Sequence, residues 1–189
     1  MQSSGATQIS GLEALLKAAA SGKGPPPVER WNPPYCGDIG MAIRGDGTWF
    51  YQGSPIGRIA LVRLFASVLR KDADGKHYLV TPAEKIDVTV ADAPFMAVEM
   101  EVEGAGDAQT LILRTNVDDI VRVGPANPLR FVVEVGSGGL KPYVLVRGRL
   151  EALVTRALYY DLVEMAVAGR QGGDAIGVWS GGERWEMRG

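Results

Sequence analysis

The sequence predicts an α+β fold made of two related units, each with antiparallel strands and one amphipathic helix. A strand–turn–helix signature spans Gly37–Arg58 and leads into the apolar-periodic stretch Ile59–Leu69. A fainter copy spans Pro142–Leu150 and again precedes a stretch with helical periodicity. The chain has 189 residues, enough for two small domains. These observations predict duplicated strand–turn–helix–strand units, with a cleft between them as the place for a site.

Composition narrows the classes of function. The chain is 46% hydrophobic and 22% charged, with a formal net charge of −2, which is ordinary for a folded soluble protein. This charge gives no long-range attraction to a nucleic-acid polymer or an acidic membrane. No signal peptide or stretch of ~20 apolar residues is evident, so we expect a cytoplasmic protein with no membrane partner.

Single copies of two residues limit metal and redox chemistry. Cys36 is the only cysteine and His77 the only histidine, so no intrachain disulfide can form and a Cys/His zinc site is nearly excluded. The lone cysteine fits a reducing compartment. No cofactor is indicated by the sequence.

The N-terminal region, residues 1–30, is expected to hold a helix and a proline-rich linker. Apolar residues recur at helical spacing over Gln8–Ala20, and the run Ser21–Pro27 ends that helix. A helix on such a linker could dock on a partner or on a second copy of the chain, so a homo-oligomer is one arrangement it allows.

Residues 31–94 form the expected first unit. Ile39–Ile43 alternates as a half-buried strand, and Asp46-Gly47 is a hairpin-turn signal before an aromatic strand at Thr48–Gln52. A helix is predicted over Ile59–Leu69. Two further strands complete the unit, at His77–Val80 and Ile86–Val90.

Residues 95–189 form the expected second unit. A long helix is predicted from about Leu150 to Ala168, with Gly172-Gly173 ending it. Strands are predicted at Phe95–Val102, Thr110–Arg114, Ile120–Val123, Arg130–Val135, Tyr143–Arg147, Ile176–Trp179 and Arg184–Met187.

The two halves can be aligned by their helical patterns. At an offset of 158 − 64 = 94, Leu64-Phe65 matches Leu158-Tyr159, and Ile59 matches Leu153. Amphipathic helices resemble one another by chance, so this internal repeat is a hypothesis.

Several short motifs resemble a proteobacterial family known as domain of unknown function family 1285. They are Trp31-x-Pro33, Gly37-Asp38-Ile39, Asp46-Gly47-x-Trp49-x-Tyr51-x-Gly53-x-Pro55-Ile56-x-Arg58, Thr115-Asn116-Val117-Asp118-Asp119 and Tyr143-Val144-x-Val146-Arg147. The resemblance implies a duplicated α+β core whose second half is superficially similar to a pleckstrin-homology-like fold. It also implies a site between the halves for a nucleotide-like ligand and a role in signal transduction. The resemblance gives no catalytic residues that could be carried over to this sequence.

Five residues are candidate ligand contacts. Trp49 and Tyr51 lie two apart on a strand and share a face, so Trp49 either packs in the core, which is favoured, or stacks on a base. Arg58, Arg114 and Arg147 could bind an anion, with Asn116 donating a hydrogen bond. Arg58 is expected at the start of the first helix, and Arg147 with Arg149 near the start of the second; ion pairs to Asp118, Asp119 or Glu151 are the equal alternative.

Other conspicuous residues are better explained by turns. Gly136-Ser137-Gly138-Gly139 precedes a predicted strand rather than a helix, so a hairpin loop is favoured over a phosphate cradle. Asp118 and Asp119 could form an acid–base or magnesium pair, but adjacent strand residues point to opposite faces, so a solvated strand start is favoured instead.

The leading hypothesis is therefore a non-enzymatic sensor that binds a small anionic or nucleotide-like ligand between the units. The alternative is a protein-interaction or assembly module that uses Gln8–Ala20. A third, less favoured class is an acid–base enzyme using Asp118 or Asp119.

Overall fold

The computed structural model describes residues 25–170 and 175–189. The chain divides into two compact units, unit 1 up to Ala91 and unit 2 from Asp92 onward. The predicted helix Gln8–Ala20 and the Gly172-Gly173 helix stop lie outside the described residues.

Unit 1 contains one six-stranded mixed sheet, one α-helix and a short 3-10 turn, Val28–Arg30. The strand order is β3-β2-β1-β6-β5-β4, with β1 and β6 parallel and every other pair antiparallel. The elements are β1 Tyr35–Ile43, β2 Trp49–Tyr51, β3 Ser54–Pro55, α1 Ile59–Ser67, β4 Leu69–Lys71, β5 His77–Val80 and β6 Lys85–Val90.

The predicted β1–β2 hairpin is confirmed, and local chemistry explains its turn. Gly47 has a φ of 84°, a left-handed conformation that glycine adopts without steric cost. The Asp46 carboxylate accepts a hydrogen bond from the backbone N–H of Thr48 at 2.9 Å. Asp46-Gly47 therefore builds the turn.

Helix α1 ends two residues before its predicted end. Its apolar periodicity continues through Val68 and Leu69, and both residues are fully buried. Leu69, however, begins β4, which pairs with β5. Tertiary pairing thus ends the helix where periodicity alone would continue it.

Unit 2 contains a second six-stranded mixed sheet, a separate two-stranded sheet, one α-helix and a 3-10 turn, Gly106–Ala108. The large sheet has the order β10-β11-β12-β7-β8-β9 and the small one pairs β13 with β14. The elements are β7 Phe95–Glu103, β8 Thr110–Thr115, β9 Ile120–Arg122, β10 Leu129–Val133, β11 Leu140–Arg147, β12 Leu150–Val154, α2 Arg156–Ala168, β13 Gly177–Ser180 and β14 Glu183–Glu186.

The two large sheets share one plan. Each consists of two three-stranded antiparallel meanders joined where the first strand of the unit runs parallel to its sixth, β1 beside β6 and β12 beside β7. The expectation of two related units is confirmed at this level. The sheets are mixed rather than wholly antiparallel, and the described residues are mostly β with two α-helices.

The predicted helix over Leu150–Ala168 is wrong in its first six residues, 150–155. Leu150–Val154 forms β12, which lies between β11 and β7 with alternating burial. Helix α2 begins only at Arg156. The predicted unit order is corrected accordingly: α1 lies between the third and fourth strands, whereas α2 follows the sixth, so aligning Ile59 with Leu153 pairs a helix residue with a strand residue.

Candidate functional site

Trp49, the predicted stacking residue, lies in the core of unit 1. Its side chain is 1% exposed and stacks on Phe65 of α1, with ring centroids 6.0 Å apart and planes inclined by 19°. Trp49 pairs with Ile43 of β1, which is also 1% exposed. This geometry is that of a core residue, the interpretation that the sequence favoured.

Arg58 occupies its predicted position at the start of a helix. It is the residue immediately before α1, has extended backbone angles and forms no side-chain capping hydrogen bond. It is exposed. Its role as a ligand contact stays a prediction.

The other three candidates, Arg114, Asn116 and Arg147, come together around the turn that joins β8 to β9, residues 115–119. The Arg147 guanidinium donates to Asp119 Oδ2 at 2.5 Å and lies 5.1 Å from the Phe95 ring centroid. The Asn116 side-chain oxygen accepts a hydrogen bond from the backbone of Met96 at 3.0 Å, so the contact shown uses its carbonyl end.

Arg114 is held by two carboxylates at the same turn. It donates to Asp118 Oδ1 at 2.6 Å and to Glu99 Oε2 at 2.7 Å, and the hydrogen bond to Glu99 is the first cause of a raised pKa for Arg114. The arginines at this turn therefore have ion-pair partners, with three carboxylates facing two guanidinium groups. The electrostatic balance there does not favour an anion.

Arg147 and Arg149 do not flank the start of a helix as expected. Arg147 ends β11, and the next residue, Gly148, turns the chain into β12 with a φ of 53°. The expectation is wrong because Leu150–Val154 is a strand. The residue that does open α2 is Arg156.

A cavity of about 470 Å³ lies beside Arg156 in unit 2. The β10–β11 hairpin loop, β11, the end of β12 and the first turn of α2 form its walls. Its lining residues are Glu134, Ser137, Gly139, Leu140, Lys141, Pro142, Leu153, Val154, Arg156, Tyr159 and Tyr160. We call this space the helix-start cavity.

The length of the β10–β11 hairpin creates this space. β11 pairs with β12 as far as Tyr143↔Leu153, whereas its pairing with β10 continues to Leu140. At Thr155 the chain leaves the sheet and turns into α2. The hairpin therefore extends past the end of β12, and the helix start faces the segment that β12 does not cover.

The predicted hairpin loop at Gly136–Gly139 is confirmed, and two of its amides donate hydrogen bonds to acceptors within the hairpin. Gly136 and Gly138 have φ values of 104° and 69°, which glycine permits. The Gly138 amide donates to Glu134 O, and the Gly139 amide donates to Ser137 Oγ. These two amides already have acceptors, so the loop supplies a wall rather than a phosphate cradle.

The first turn of α2 brings a cation and two aromatic rings to the cavity. Arg156 Nε donates to Tyr160 Oη at 3.0 Å, and its guanidinium lies 5.7 Å from the Tyr160 ring. The rings of Tyr159 and Tyr160 are 6.0 Å apart. Among the described residues Arg156 has no ion-pair partner; the carboxylate of Glu134 acts on it only at longer range.

The backbone strengthens the positive character of this wall. The Thr155 carbonyl accepts the first helical hydrogen bond, from Tyr159 N at 2.9 Å, and the Thr155 side chain does not cap the helix. The first amides of an α-helix have no acceptor within the helix, and the helix dipole favours anions there. A charged guanidinium beside these amides suits an anionic group with an attached ring.

The sequence did not single out Arg156 as a ligand contact. The predicted helix began at Leu150, which placed Arg156 one and a half turns inside. Tyr159 was aligned with Phe65 in the repeat and was not considered as a ligand contact. The boundary between β12 and α2 was the missing information.

A smaller groove of about 350 Å³ lies in unit 1 and includes His77, Asp38 and Asp87. His77 is half-buried and pairs with Lys71 across β4 and β5. Burial, followed by the charge of Lys71, lowers the pKa of His77 to about 4. His77 is therefore neutral at pH 7.

We expect His77 to make stability fall as pH falls from about 6.5 toward 5. In this pH range the unfolded chain binds a proton at His77 and the folded chain does not. Proton binding therefore stabilises the unfolded state and lowers the free energy of unfolding. Urea unfolding of wild type and H77Q at pH 7 and pH 5 measures the effect. The difference between the two proteins should change with pH; a constant difference would contradict the lowered pKa.

Within residues 25–170 and 175–189, no three His, Cys, Asp or Glu side chains converge to hold a metal ion. None of the helices described there is both long and apolar enough to cross a membrane.

Comparisons with known proteins agree with this two-unit description. Residues 26–93 match the family model described as domain of unknown function (DUF1285), N-terminal domain. Residues 94–187 match that of the protein of unknown function (DUF1285), C-terminal domain. The chain therefore belongs to the DUF1285 family.

Two solved crystal structures of DUF1285 family proteins are similar to this chain. One, from Silicibacter pomeroyi DSS-3, is 45% identical with a TM-score of 0.82, and the match covers 92% of this chain and 93% of the other. The second, from Shewanella baltica OS155, is 26% identical with a TM-score of 0.54, covering 67% and 91%. No curated protein matches the chain.

Proposed function

We propose that this protein is a non-enzymatic binding protein that takes a small anionic, nucleotide-like ligand in the helix-start cavity of unit 2. The observation that carries the proposal is the convergence of Arg156, Tyr159 and Tyr160 on one concave space. At about 470 Å³ the cavity falls in the size range of small-molecule sites, which are mostly apolar with a few placed polar groups. Leu140, Pro142, Leu153 and Val154 supply the apolar wall.

The charges and rings of the cavity suit different parts of such a ligand. The guanidinium of Arg156 can donate two parallel hydrogen bonds to a phosphate or carboxylate, while a tyrosine ring offers a face for a base. Glu134 opposes a second negative charge at the loop side, which favours a ligand whose charge lies at one end.

The ligand-bound protein would act in signalling. We infer a signal-transduction sensor in the bacterial cytoplasm, because the cavity offers binding groups and the lone Cys36 fits a reducing compartment. We also propose that unit 2 has a pleckstrin-homology-like fold. It is supported by the position of α2 after the last strand of a six-stranded sheet.

Thermal unfolding of the full chain tests ligand binding. The probes are the four nucleoside monophosphates, cyclic di-AMP and cyclic di-GMP, with nucleosides and inorganic phosphate as partial ligands. At ~100 times its dissociation constant a ligand should add ~2.7 kcal/mol to stability, or roughly 5–10 °C for a protein of this size. No response at millimolar concentration would overturn the proposal.

We expect R156A to weaken binding about tenfold or more, because a hydrogen bond to a charged group contributes roughly 1.5–3 kcal/mol. The fold should persist, since Arg156 is exposed. R149A is the matched control: Arg149 is also exposed but does not line the cavity. Calorimetric titration of both variants with the stabilising probe measures the difference, and equal losses would exclude the helix-start cavity.

Three of the five residues predicted from the sequence, Arg114, Asn116 and Arg147, provide a competing location at the β8–β9 turn. If R147A or R114A abolishes binding while R156A does not, the ligand lies at the β8–β9 turn. Trp49 and Arg58 are tested in the same titrations, as W49F and R58A.

A further inference from the structure

The helix-start cavity contains a carboxylate, that of Glu134, in addition to the guanidinium of Arg156. Both residues line this space. In the described part of the chain they form no ion pair with each other, and the charge of Glu134 acts on Arg156 only at longer range. The cavity therefore keeps an acceptor and a cation apart, an arrangement that suits a ligand with hydrogen-bond donors at one end and negative charge at the other.

A chain of hydrogen bonds holds the Glu134 carboxylate at the cavity wall. Ser137 Oγ donates to Glu134 Oε2 at 2.6 Å, and Ser137 also lines the cavity. The same hydroxyl accepts from the Gly139 amide at 3.1 Å, while the Glu134 amide donates to Gly139 O at 2.7 Å. The hairpin thus orders this side chain before a ligand arrives, which lowers the entropic cost of binding.

Glu134 keeps acceptor capacity for a ligand. Within residues 25–170 and 175–189, its Oε2 accepts one hydrogen bond, from Ser137, and its Oε1 accepts none. An ionised carboxylate has about four acceptor sites and no donor. Because its two oxygens can bind two parallel N–H groups at once, the best partner for Glu134 is a pair of adjacent donors.

Among the four bases of RNA, guanine alone carries two adjacent N–H donors, N1–H and N2–H, on its Watson–Crick edge. Adenine and cytosine set an acceptor nitrogen beside their amino group, and uracil flanks N3–H with two carbonyl oxygens. We propose that the ligand of the helix-start cavity is a guanine nucleotide, with Glu134 accepting hydrogen bonds from the base and Arg156 binding the phosphate. This inference rests on the proposed function, because it needs a nucleotide in this cavity.

Calorimetric titration of the full chain with GMP, AMP, CMP, UMP and IMP tests the base preference. We expect GMP to bind about tenfold more tightly than AMP, CMP or UMP, the effect of one unmade hydrogen bond to a charged group. IMP, which lacks the N2 amino group, should lie between. Cyclic di-GMP and cyclic di-AMP repeat the comparison for a ligand with two phosphates.

E134Q separates recognition of the base from other roles of Glu134. A glutamine amide can donate to adenine N1 and accept from its N6 amino group, so GMP should lose about tenfold in affinity while AMP is not weakened. E164Q is the matched control, because Glu164 is an exposed carboxylate of α2 that does not line the cavity. Its affinities for GMP and AMP should equal those of wild type.

The outcomes distinguish failure of this inference from failure of the proposed function. If wild type binds GMP no more tightly than AMP, and R156A weakens both, guanine recognition is overturned while the proposed function stands. An equal loss for GMP and AMP in E134Q has the same consequence, since Glu134 would then act on the phosphate or on the shape of the cavity. If no nucleotide binds wild type, the proposed function fails and this inference fails with it.

Discussion

Replacing Trp49 by alanine lowers the free energy of unfolding of unit 1 by about 3–5 kcal/mol, the range measured for removing a large buried aromatic side chain. Trp49, the first residue of β2, is 1% exposed and stacks on Phe65 of α1. The cavity left by alanine cannot close unless β2 or α1 moves. Urea unfolding followed by circular dichroism measures the loss.

Two further variants separate packing from other roles of Trp49. W49F keeps a ring against Phe65 and should lose much less, since no described residue accepts a hydrogen bond from the indole N–H. Tyr51, two residues along the same strand and 40% exposed, is the control: Y51A should cost under about 1 kcal/mol. A W49A protein of near wild-type stability and weakened ligand affinity would contradict the core assignment and restore the stacking role.

Replacing Arg70 by methionine should cost about 3 kcal/mol, because Arg70 is a buried ion-pair partner with four hydrogen bonds. Arg70 is 8% exposed. It donates to the carbonyls of Val28 and Trp31 at 2.8 and 2.7 Å, and to both oxygens of Asp72. Methionine fills a similar volume but leaves these acceptors without their donor.

The Arg70 network has a predictable partial rescue. Although burial opposes ionisation, hydrogen bonds from Arg70 and Lys85 hold the pKa of Asp72 below its usual value. R70K keeps the charge but not the planar fork that reaches two carbonyls and a carboxylate together, so we expect an intermediate loss. R30M, an exposed arginine in the Val28–Arg30 turn, should be nearly neutral. Equal stability of R70M and R30M in urea would contradict this account.

Much of the β-structure followed from local sequence. Alternation over Ile39–Ile43 predicted a half-buried strand, and Met41 and Ile43 are buried there. Asp46-Gly47 fixed the β1–β2 turn through a positive φ and a side-chain hydrogen bond. The helix start at Ile59 was also predicted. In each case the structure depends on residues close together in the chain.

The largest error came from a pattern that two structures satisfy equally. Leu150, Leu153, Val154 and Ala157 fit one helical face, yet Leu150–Val154 is the central strand between β11 and β7. Short apolar runs do not distinguish a buried strand from a helix. The strand is fixed by pairing partners: Ala152 pairs with Val144, 152 − 144 = 8 residues earlier, and with Phe95, 152 − 95 = 57 residues earlier.

By itself, the sequence determined the family, the hairpin turns, most strands and the presence of two related halves, because those depend on local chemistry and periodicity. Only the tertiary structure decided that each sheet joins its two meanders through a parallel pair, since such pairing is set by partners distant in the chain. The tertiary structure also determined which groups each candidate arginine contacts. Arg114 and Arg147 pair with carboxylates. Arg156 lines a cavity that forms where the β10–β11 hairpin extends past the end of β12. The repeated signature thus predicted two related units. The candidate site lies where the second copy differs from the first, because a sixth strand, Leu150–Val154, precedes the helix that begins at Arg156.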